Sequence, residues 1–327
     1  MPSTPAERSE PRVARFGCPD ERDTVHGVGV ETVRYRNVAS DSARWSKFDP
    51  RAGDIVISTP PKCGTTLTQM MCALLVFDGP DFPGRLDDIS PWFDMNTRSD
   101  DEVLAEVAAL GHRRFLKTHT PLDGIPDWPE VTYVTVGRDP RDVFVSWEHH
   151  IANMDRERFI VAVDESVGLD TVAPLFRERP ESAEERLDHW LVDDDPASTM
   201  SLATVTRHLA VSWDRRDRPN VALFHFEELR DDRAGALTRL AQVLGQAPSP
   251  ERIDRLADAT SLDRMRARAN ELAPNTKQIF TDSSRFFRSG ESGSWRDVMT
   301  QEQQAIYEQR MVELTSPELR AWLHRGR

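Results

Sequence analysis

The chain is 327 residues long, enough for one large domain or two average ones with a sizeable core, and 38% hydrophobic with 30% charged residues fits a globular enzyme rather than a fibre or a disordered tail. Its 55 acidic against 42 basic residues leave a formal charge of −13, which repels nucleic acid and anionic lipid over most of the surface, so nucleic acid is not an expected partner. The longest apolar runs, such as Met70 to Phe77, fall well short of the roughly 20 residues of a membrane-spanning helix, so no transmembrane segment is expected.

Taken in chain order, residues 1–30 are polar and carry Pro2, Pro5, Pro11 and Pro19, which predicts a loosely held arm ahead of a domain over 31–327. No charged-then-apolar leader opens the sequence, and Cys18, Cys63 and Cys72 show neither disulfide nor metal-ligand spacing; the expectation is a cytoplasmic protein with reduced thiols and no metal. Gly53 to Ser58 is a short β-branched run, followed after Gly64 by Leu67, Met70, Met71, Leu74 and Leu75 at helix-face spacing, which predicts strand, loop, helix. Further strands are predicted at Arg114–Thr118, Val131–Val136 and Asn220–Phe226. Helices are predicted from Asp139-Pro140 through about His150, with aspartate as N-cap and proline at the first helical position, and over Arg233–Leu244. Strands alternating with helices imply a single α/β domain with a parallel sheet and helices on both faces. Residues 153–201, rich in Asp, Glu, Arg and Pro, read either as a solvated helical excursion or as a lid over an acceptor pocket. Residues 266–295 read as a long, functional loop.

An anion in so acidic a protein needs a local cluster of cations and backbone N–H groups, and three segments supply candidates. Pro60-Pro-Lys-Cys-Gly-Thr-Thr66 lies between the first strand and its helix, where unpaired N–H groups and the positive end of the helix dipole converge. Gly64 permits close backbone approach, Lys62 adds charge, and Thr65 and Thr66 add hydroxyls. The lysine precedes the glycine, so this is not the nucleoside-triphosphate motif. Gln69, where a phosphatase loop would need arginine, argues against Cys63 as a nucleophile. Read alone, the segment could be only a glycine turn into a buried helix. At the second strand, Lys117 and His119 are two residues apart and so share one face, pairing a cation with a candidate base. Any single histidine, whether this one or His112, His149, His150, His189, His208 or His225, is more often structural. Third, Arg138 ends a strand and Ser146 lies about two helical turns on, where both could grip a second phosphate. Alternatively, Arg138 and Arg141 merely pair with Asp139 and Asp142.

Together these segments resemble the cytosolic-type sulfotransferases, through a series of ordered motifs from about Gly53 to Trp295. The family's Pro-Lys-Ser-Gly-Thr-Thr-Trp loop is similar to Pro61-Lys-Cys-Gly-Thr-Thr-Leu67, with Cys63 for serine and Leu67 for tryptophan. Its Lys-Thr-His segment matches Lys117-Thr-His119, and its arginine and serine for the 3′-phosphate match Arg138 and Ser146. Its Phe-Tyr-Glu-Asp, Thr-Ser-Phe and Arg-Lys-Gly segments align with His225-Phe226-Glu-Glu228, Thr260-Ser261-Leu262 and Arg288-Ser289-Gly290. The resemblance implies 3′-phosphoadenosine 5′-phosphosulfate (PAPS) as donor, held by residues 62–67, Arg138, Ser146, Phe226, residues 260–262 and residues 288–290. It also implies His119 as base for in-line transfer, Lys62 and Lys117 as charge stabilisers, and no metal. The departures at Leu67, Phe226 and Leu262 remove aromatic stacking and a hydroxyl around adenine, which predicts weaker binding of the same donor.

Two competing classes remain at this level. A P-loop kinase or nucleotide hydrolase should carry an acidic magnesium ligand at a strand end, and none is plain. A non-catalytic nucleotide-binding protein has no need of Lys117 and His119. Phe77, Phe82, Trp92, Phe93, Met95 and Trp147 suit a hydrophobic small-molecule or glycolipid acceptor with one hydroxyl. Val76–Pro80 and Ser90-Pro-Trp92 resemble bacterial members of the family that include glycolipid sulfotransferases. Oligomeric state, a homodimer included, is left open.

Overall fold

The computed structural model describes residues 32–275, 277–288 and 290–324; the expected 1–30 arm and Ser289 lie outside the described residues. Four strands, β1 (Ile55–Ser58), β2 (Phe115–Thr118), β3 (Thr132–Gly137) and β4 (Val221–His225), form one parallel sheet in the order β2-β1-β3-β4. Each falls within a residue or two of its predicted position, because a fully buried parallel strand reads as a short continuous apolar run. Phe226 departs from the expectation: it opens the Phe226–Asp231 helix instead of ending the strand.

Side chains alternate across the sheet and so build two cores. Ile55, Ile57, Phe115, Val134, Val136 and Phe224 pack on one face against the Thr65–Phe77, Arg233–Val243 and Pro250–Ala259 helices. Val56, Leu116, Tyr133 and Val221 pack on the other with Trp45, Phe93 and Trp128. Met70, Met71 and Leu74 of the first helix are completely buried, each contributing about 1.5–3 kcal/mol relative to an exposed side chain.

Between β1 and β3 the chain connections diverge to opposite sides of the sheet, and in open α/β sheets ligands bind beyond the carboxyl ends of the strands at such a switch point. The amino ends of β1 and β2 are closed instead by the buried, bidentate Arg114–Asp54 pair.

The 153–201 excursion contains the Arg156–Val167, Leu169–Val172 and Ala183–Val192 helices. It is not solvated all round: Phe159, Val163 and Val172 are buried against Ile279 and Phe280. Residues 266–295 are not one loop either. They include the end of the Leu262–Ala267 helix, the Ala269–Leu272 helix and two 3-10 turns, Ser284–Phe286 and Ser294–Asp297. Asn153, just after the Pro140–Ala152 helix, ties this strap down: its amide donates to the Asp282 carbonyl (2.8 Å) and accepts from the Thr281 hydroxyl (2.8 Å). Short-range polarity masked both features, since each depends on partners more than a hundred residues away.

Candidate active site

The loop leaving β1 turns through two left-handed residues, Lys62 (φ 67°) and Gly64 (φ 90°), before the Thr65–Phe77 helix begins. A lysine in that region is strained, and such strain persists where surrounding contacts hold it. Here the Arg138 guanidinium donates to the Lys62 carbonyl (3.2 Å). Thr59 and Thr65 hydroxyls lie 2.6 Å apart and stitch the two ends of the loop together. Gly64 is required twice over, by its φ and because an added Cβ would sit 2.9 Å from Cδ2 of Phe226. Gly64→Ala is therefore expected to lower unfolding free energy by about 2–4 kcal/mol through backbone strain and overpacking. It should also push Phe226 from beneath Arg138; denaturant titration reads the first effect, and an undisturbed midpoint refutes it.

At the end of β2, the backbone of Pro91–Phe93 runs alongside Lys117: Lys117 N–H donates to the Pro91 carbonyl (3.0 Å) and Phe93 N–H to the Lys117 carbonyl (3.0 Å). This brings Trp92 under the site, with the Lys117 ammonium 4.6 Å from its ring centre and the His119 ring edge-on at 4.6 Å. Buried Asp94 fixes the segment by accepting from the Thr118 and Thr120 hydroxyls (2.6 Å each) and the Trp92 indole (2.8 Å). His119 Nδ1 is 2.7 Å from the Thr59 carbonyl. A carbonyl only accepts, so Nδ1 carries the proton and Nε2 keeps the lone pair. Burial, then the charge of Lys117, holds this imidazole well below the usual histidine range, so the ring is neutral at pH 7.

Beyond β3, Asp139 caps the Pro140–Ala152 helix with Pro140 at its first position. The simple pairing of arginines with neighbouring aspartates holds for Arg141, which binds Asp139 (2.8 Å). Arg138 behaves differently: it donates to the carbonyls of Lys62 and Glu291 (2.9 Å) and stacks 4.2 Å from the centre of Phe226. Its buried Nε has no hydrogen-bond partner among the described residues. Asp142 accepts from the Gly293 N–H (2.9 Å), which pins the strap to the helix.

One cavity of about 690 Å³ joins these pieces. Lys62, Gly64, Thr65, Thr66, Leu67, Lys117, His119, Arg138, Ser146, Phe226, Thr260, Leu262, Arg288 and Gly290 line it. Two of the predicted residues, Cys63 and Ser261, are not in its wall: Cys63 is fully buried in an apolar cluster with Val143, Phe144 and Trp295, and Ser261 starts the Leu262–Ala267 helix. The Thr260 hydroxyl donates to the Ala257 carbonyl (2.7 Å), a structural bond. Burial, then Arg138, Lys117 and Arg288, push the Lys62 ammonium down to about 7, and burial pushes Lys117 down to about 8. Cations so crowded repel each other until an anion joins them.

Sequence reasoning passed over part of this wall. The chain has only four lysines, Lys47, Lys62, Lys117 and Lys277, and three of them line the cavity. That scarcity in an arginine-rich chain was a usable signal, since lysine, unlike arginine, can shed its charge when buried. His150, Phe280 and Phe286 carry no such signal, because they reach the cavity by tertiary packing alone.

A cationic cradle at the switch point of a parallel sheet, with a neutral imidazole beside it, defines an α/β enzyme for transfer of an anionic group. The family model of the sulfotransferase domain matches residues 52–316. A glycolipid sulfotransferase of Mycobacterium tuberculosis is 42% identical over 312 residues, covering 91% of this chain and 96% of the relative, and mouse sulfotransferase 1B1 is 25% identical, covering 83% and 87%. Among solved structures, a mouse sulfotransferase complexed with PAP has a TM-score of 0.64 at 19% identity, covering 86% of this chain and 94% of that one. A retinol dehydratase in complex with androsterone and PAP has a TM-score of 0.64 at 20% identity, covering 85% and 86%; both share the fold. The chain belongs to the sulfotransferase family and is a sulfuryl-transferring enzyme, which displaces the kinase, hydrolase and non-catalytic alternatives.

Proposed function

We propose that this sulfotransferase moves the sulfuryl group of PAPS onto a hydroxyl of a largely apolar, glycolipid-like acceptor, with His119 as general base. The observation that carries the donor assignment is the convergence of Lys62, Lys117, Arg138 and Arg288 on one cavity beside His119 in a protein of formal charge −13. These residues fit a doubly phosphorylated nucleotide: the glycine loop with Lys62 suits the 5′-phosphosulfate, and Arg138, Ser146 and Arg288 suit the 3′-phosphate. The unpartnered Nε of Arg138 is a donor suited to such an anion.

PAPS supplies the sulfuryl group and leaves as 3′-phosphoadenosine 5′-phosphate (PAP). The acceptor O–H gives its proton to His119 Nε2 as its oxygen bonds to sulfur and the sulfur–oxygen bond to the phosphate breaks. Lys62 and Lys117 offset the charge on the oxygens of the group in transit, and the loop N–H groups orient it.

The acceptor reading rests on the remaining wall. Trp92, Met95, Trp147, Met154, Phe159 and Phe280 give it an apolar lining, and the relative named a glycolipid sulfotransferase supports the same class. Arg177, Arg186, Glu148 and Asp193 also reach the cavity and suit sugar hydroxyls. A cytoplasmic setting belongs to this proposal, in keeping with the unpaired thiols of Cys63 and Cys72. Among the described residues no helix is long and apolar enough to cross a membrane, and no three His, Cys, Asp or Glu side chains gather as a metal site.

Calorimetry with PAP tests the donor. Binding raises the pKa of Lys62 from about 7 and of Lys117 from about 8, so it takes up protons. Affinity is then full about one unit below the free Lys62 value, near pH 6, is already falling at pH 7, and is lost as pH rises toward 9, by up to about tenfold per unit for each lysine. No heat and no thermal upshift at saturating PAP overturns the reading. Labelled PAPS with a panel of glycolipids, sterols and simple phenols tests the acceptor; turnover confined to the phenols overturns that part.

A further inference from the structure

His150 lies in the last turn of the Pro140–Ala152 helix, four residues and so one turn beyond Ser146, on the same helix face. Its Nδ1 stands 3.3 Å from Nζ of Lys62, a residue 88 positions earlier in the chain. The ammonium is held on a second side by the ring of Phe286, 4.6 Å away. The His150 ring is itself fixed by three aromatic neighbours: it stacks on Trp147 (5.4 Å, 26°) and meets Phe280 at 4.8 Å and Phe286 at 5.8 Å. An imidazole locked this way cannot turn aside, so its lone pair presents one fixed acceptor to a lysine whose own backbone is left-handed.

We propose that His150 is a positioning residue for sulfuryl transfer, its Nδ1 accepting a hydrogen bond from Lys62 Nζ and aiming the remaining ammonium protons at the donor anion. This inference rests on the donor reading above. Lysine has three rotatable donors and no acceptor, so a free lysine points its charge loosely, whereas one anchored at a single N–H presents the other two in a fixed direction. The groups facing Lys62 are Arg138 from the end of β3, Lys117 from β2, Arg288 from the strap and Cys63 beside it. Those facing His150 are Lys62, Lys117 and His119. Most of these are cations that drive a proton off Lys62, and the neutral acceptor at His150 opposes them. With Nδ1 accepting, the proton of His150 sits on Nε2, the reverse of His119, so the two imidazoles divide the work: His119 takes a proton from the acceptor and His150 keeps one on Lys62.

The test uses the full-length protein labelled with carbon-13 at lysine, since four lysines give few signals. Wild type, His150→Phe and His150→Asn are titrated by NMR from pH 5.5 to 10, and PAP affinity is measured at pH 6 and pH 7.5. Phenylalanine keeps the ring among its aromatic neighbours and removes the acceptor; asparagine restores an acceptor near the place of Nδ1. Phenylalanine should move the Lys62 titration down by about half a unit to one unit, corresponding to about a three- to tenfold loss of proton affinity. It should weaken PAP about three- to tenfold at pH 7.5 and by less than twofold at pH 6. Asparagine should return the titration to within about 0.2 unit of wild type. A Lys62 titration unmoved by phenylalanine, or moved equally by asparagine, overturns the role of His150. Wild type that binds no PAP while Lys62 shows the expected shifts overturns the donor reading instead and leaves the Lys62–His150 contact standing.

Discussion

His119→Ala is expected to lower kcat by about 10²–10⁴-fold, the range for loss of a general base, while leaving PAP affinity within about threefold. The separation follows from what the ring touches. Its Nδ1 is committed to the Thr59 carbonyl, so the side chain offers the cavity only Nε2, a proton acceptor with little to give an anion. Burial and the neighbouring Lys117 already keep the ring neutral well below pH 6.5, so with no donor bound it needs no deprotonation to act. A bound donor brings negative charge and moves the ring's pKa upward, so the acid limb of kcat should lie at higher pH than that of kcat/KM for PAPS, which reports the free enzyme. Steady-state rates with calorimetry on the same preparation decide the matter. Turnover within tenfold of wild type in a variant that still binds PAP removes His119 from the role of base.

Lys62→Met should fail differently, losing about 10²–10³-fold in kcat/KM for PAPS together with PAP affinity. Lys62 belongs to the loop that would surround the 5′-phosphosulfate and lines the cavity, so it acts in both the ground state and the transition state. Methionine keeps an unbranched chain of similar length beside Phe286 and strips the charge. It also removes one of two titrating lysines, so PAP affinity between pH 7 and 9 should fall less steeply than in wild type, with only Lys117 near 8 remaining. Lys62→Arg should flatten the same profile, because arginine cannot shed its charge, without restoring the rate. Its planar fork spreads the charge instead of presenting the compact ammonium that Lys62 places between His150 and Phe286. A Lys62→Met enzyme with wild-type kcat/KM contradicts the whole arrangement.

Several parts of the site were legible in the residues because they depend on short spacings. Lys117 and His119 share a face by strand alternation, Asp139-Pro140 sets the start of a helix, and Pro61 to Thr66 occupy the turn where the first strand becomes a helix. Each of these is fixed by backbone geometry within a few residues, so sequence alone located the glycine turn between the first strand and its helix, the candidate base and the four strands. The glycine at position 64 was also readable, though the close approach of Phe226 that makes it indispensable was not.

What only the tertiary structure decided is which side chains meet across long separations. Arg138 might have joined its neighbouring aspartates, as Arg141 does, but the loop and strap bring carbonyls to it first. The charged 153–201 excursion hides an apolar face because Ile279 and Phe280 arrive from the far end of the chain to cover it. Local hydrogen bonds and periodicity are written in the order of residues, whereas the partner of Lys62 is chosen by how two helices and a strap pack around it. The sequence by itself therefore determined the sheet, the cradle and the class of chemistry; the folded chain decided how the lysine in that cradle is held.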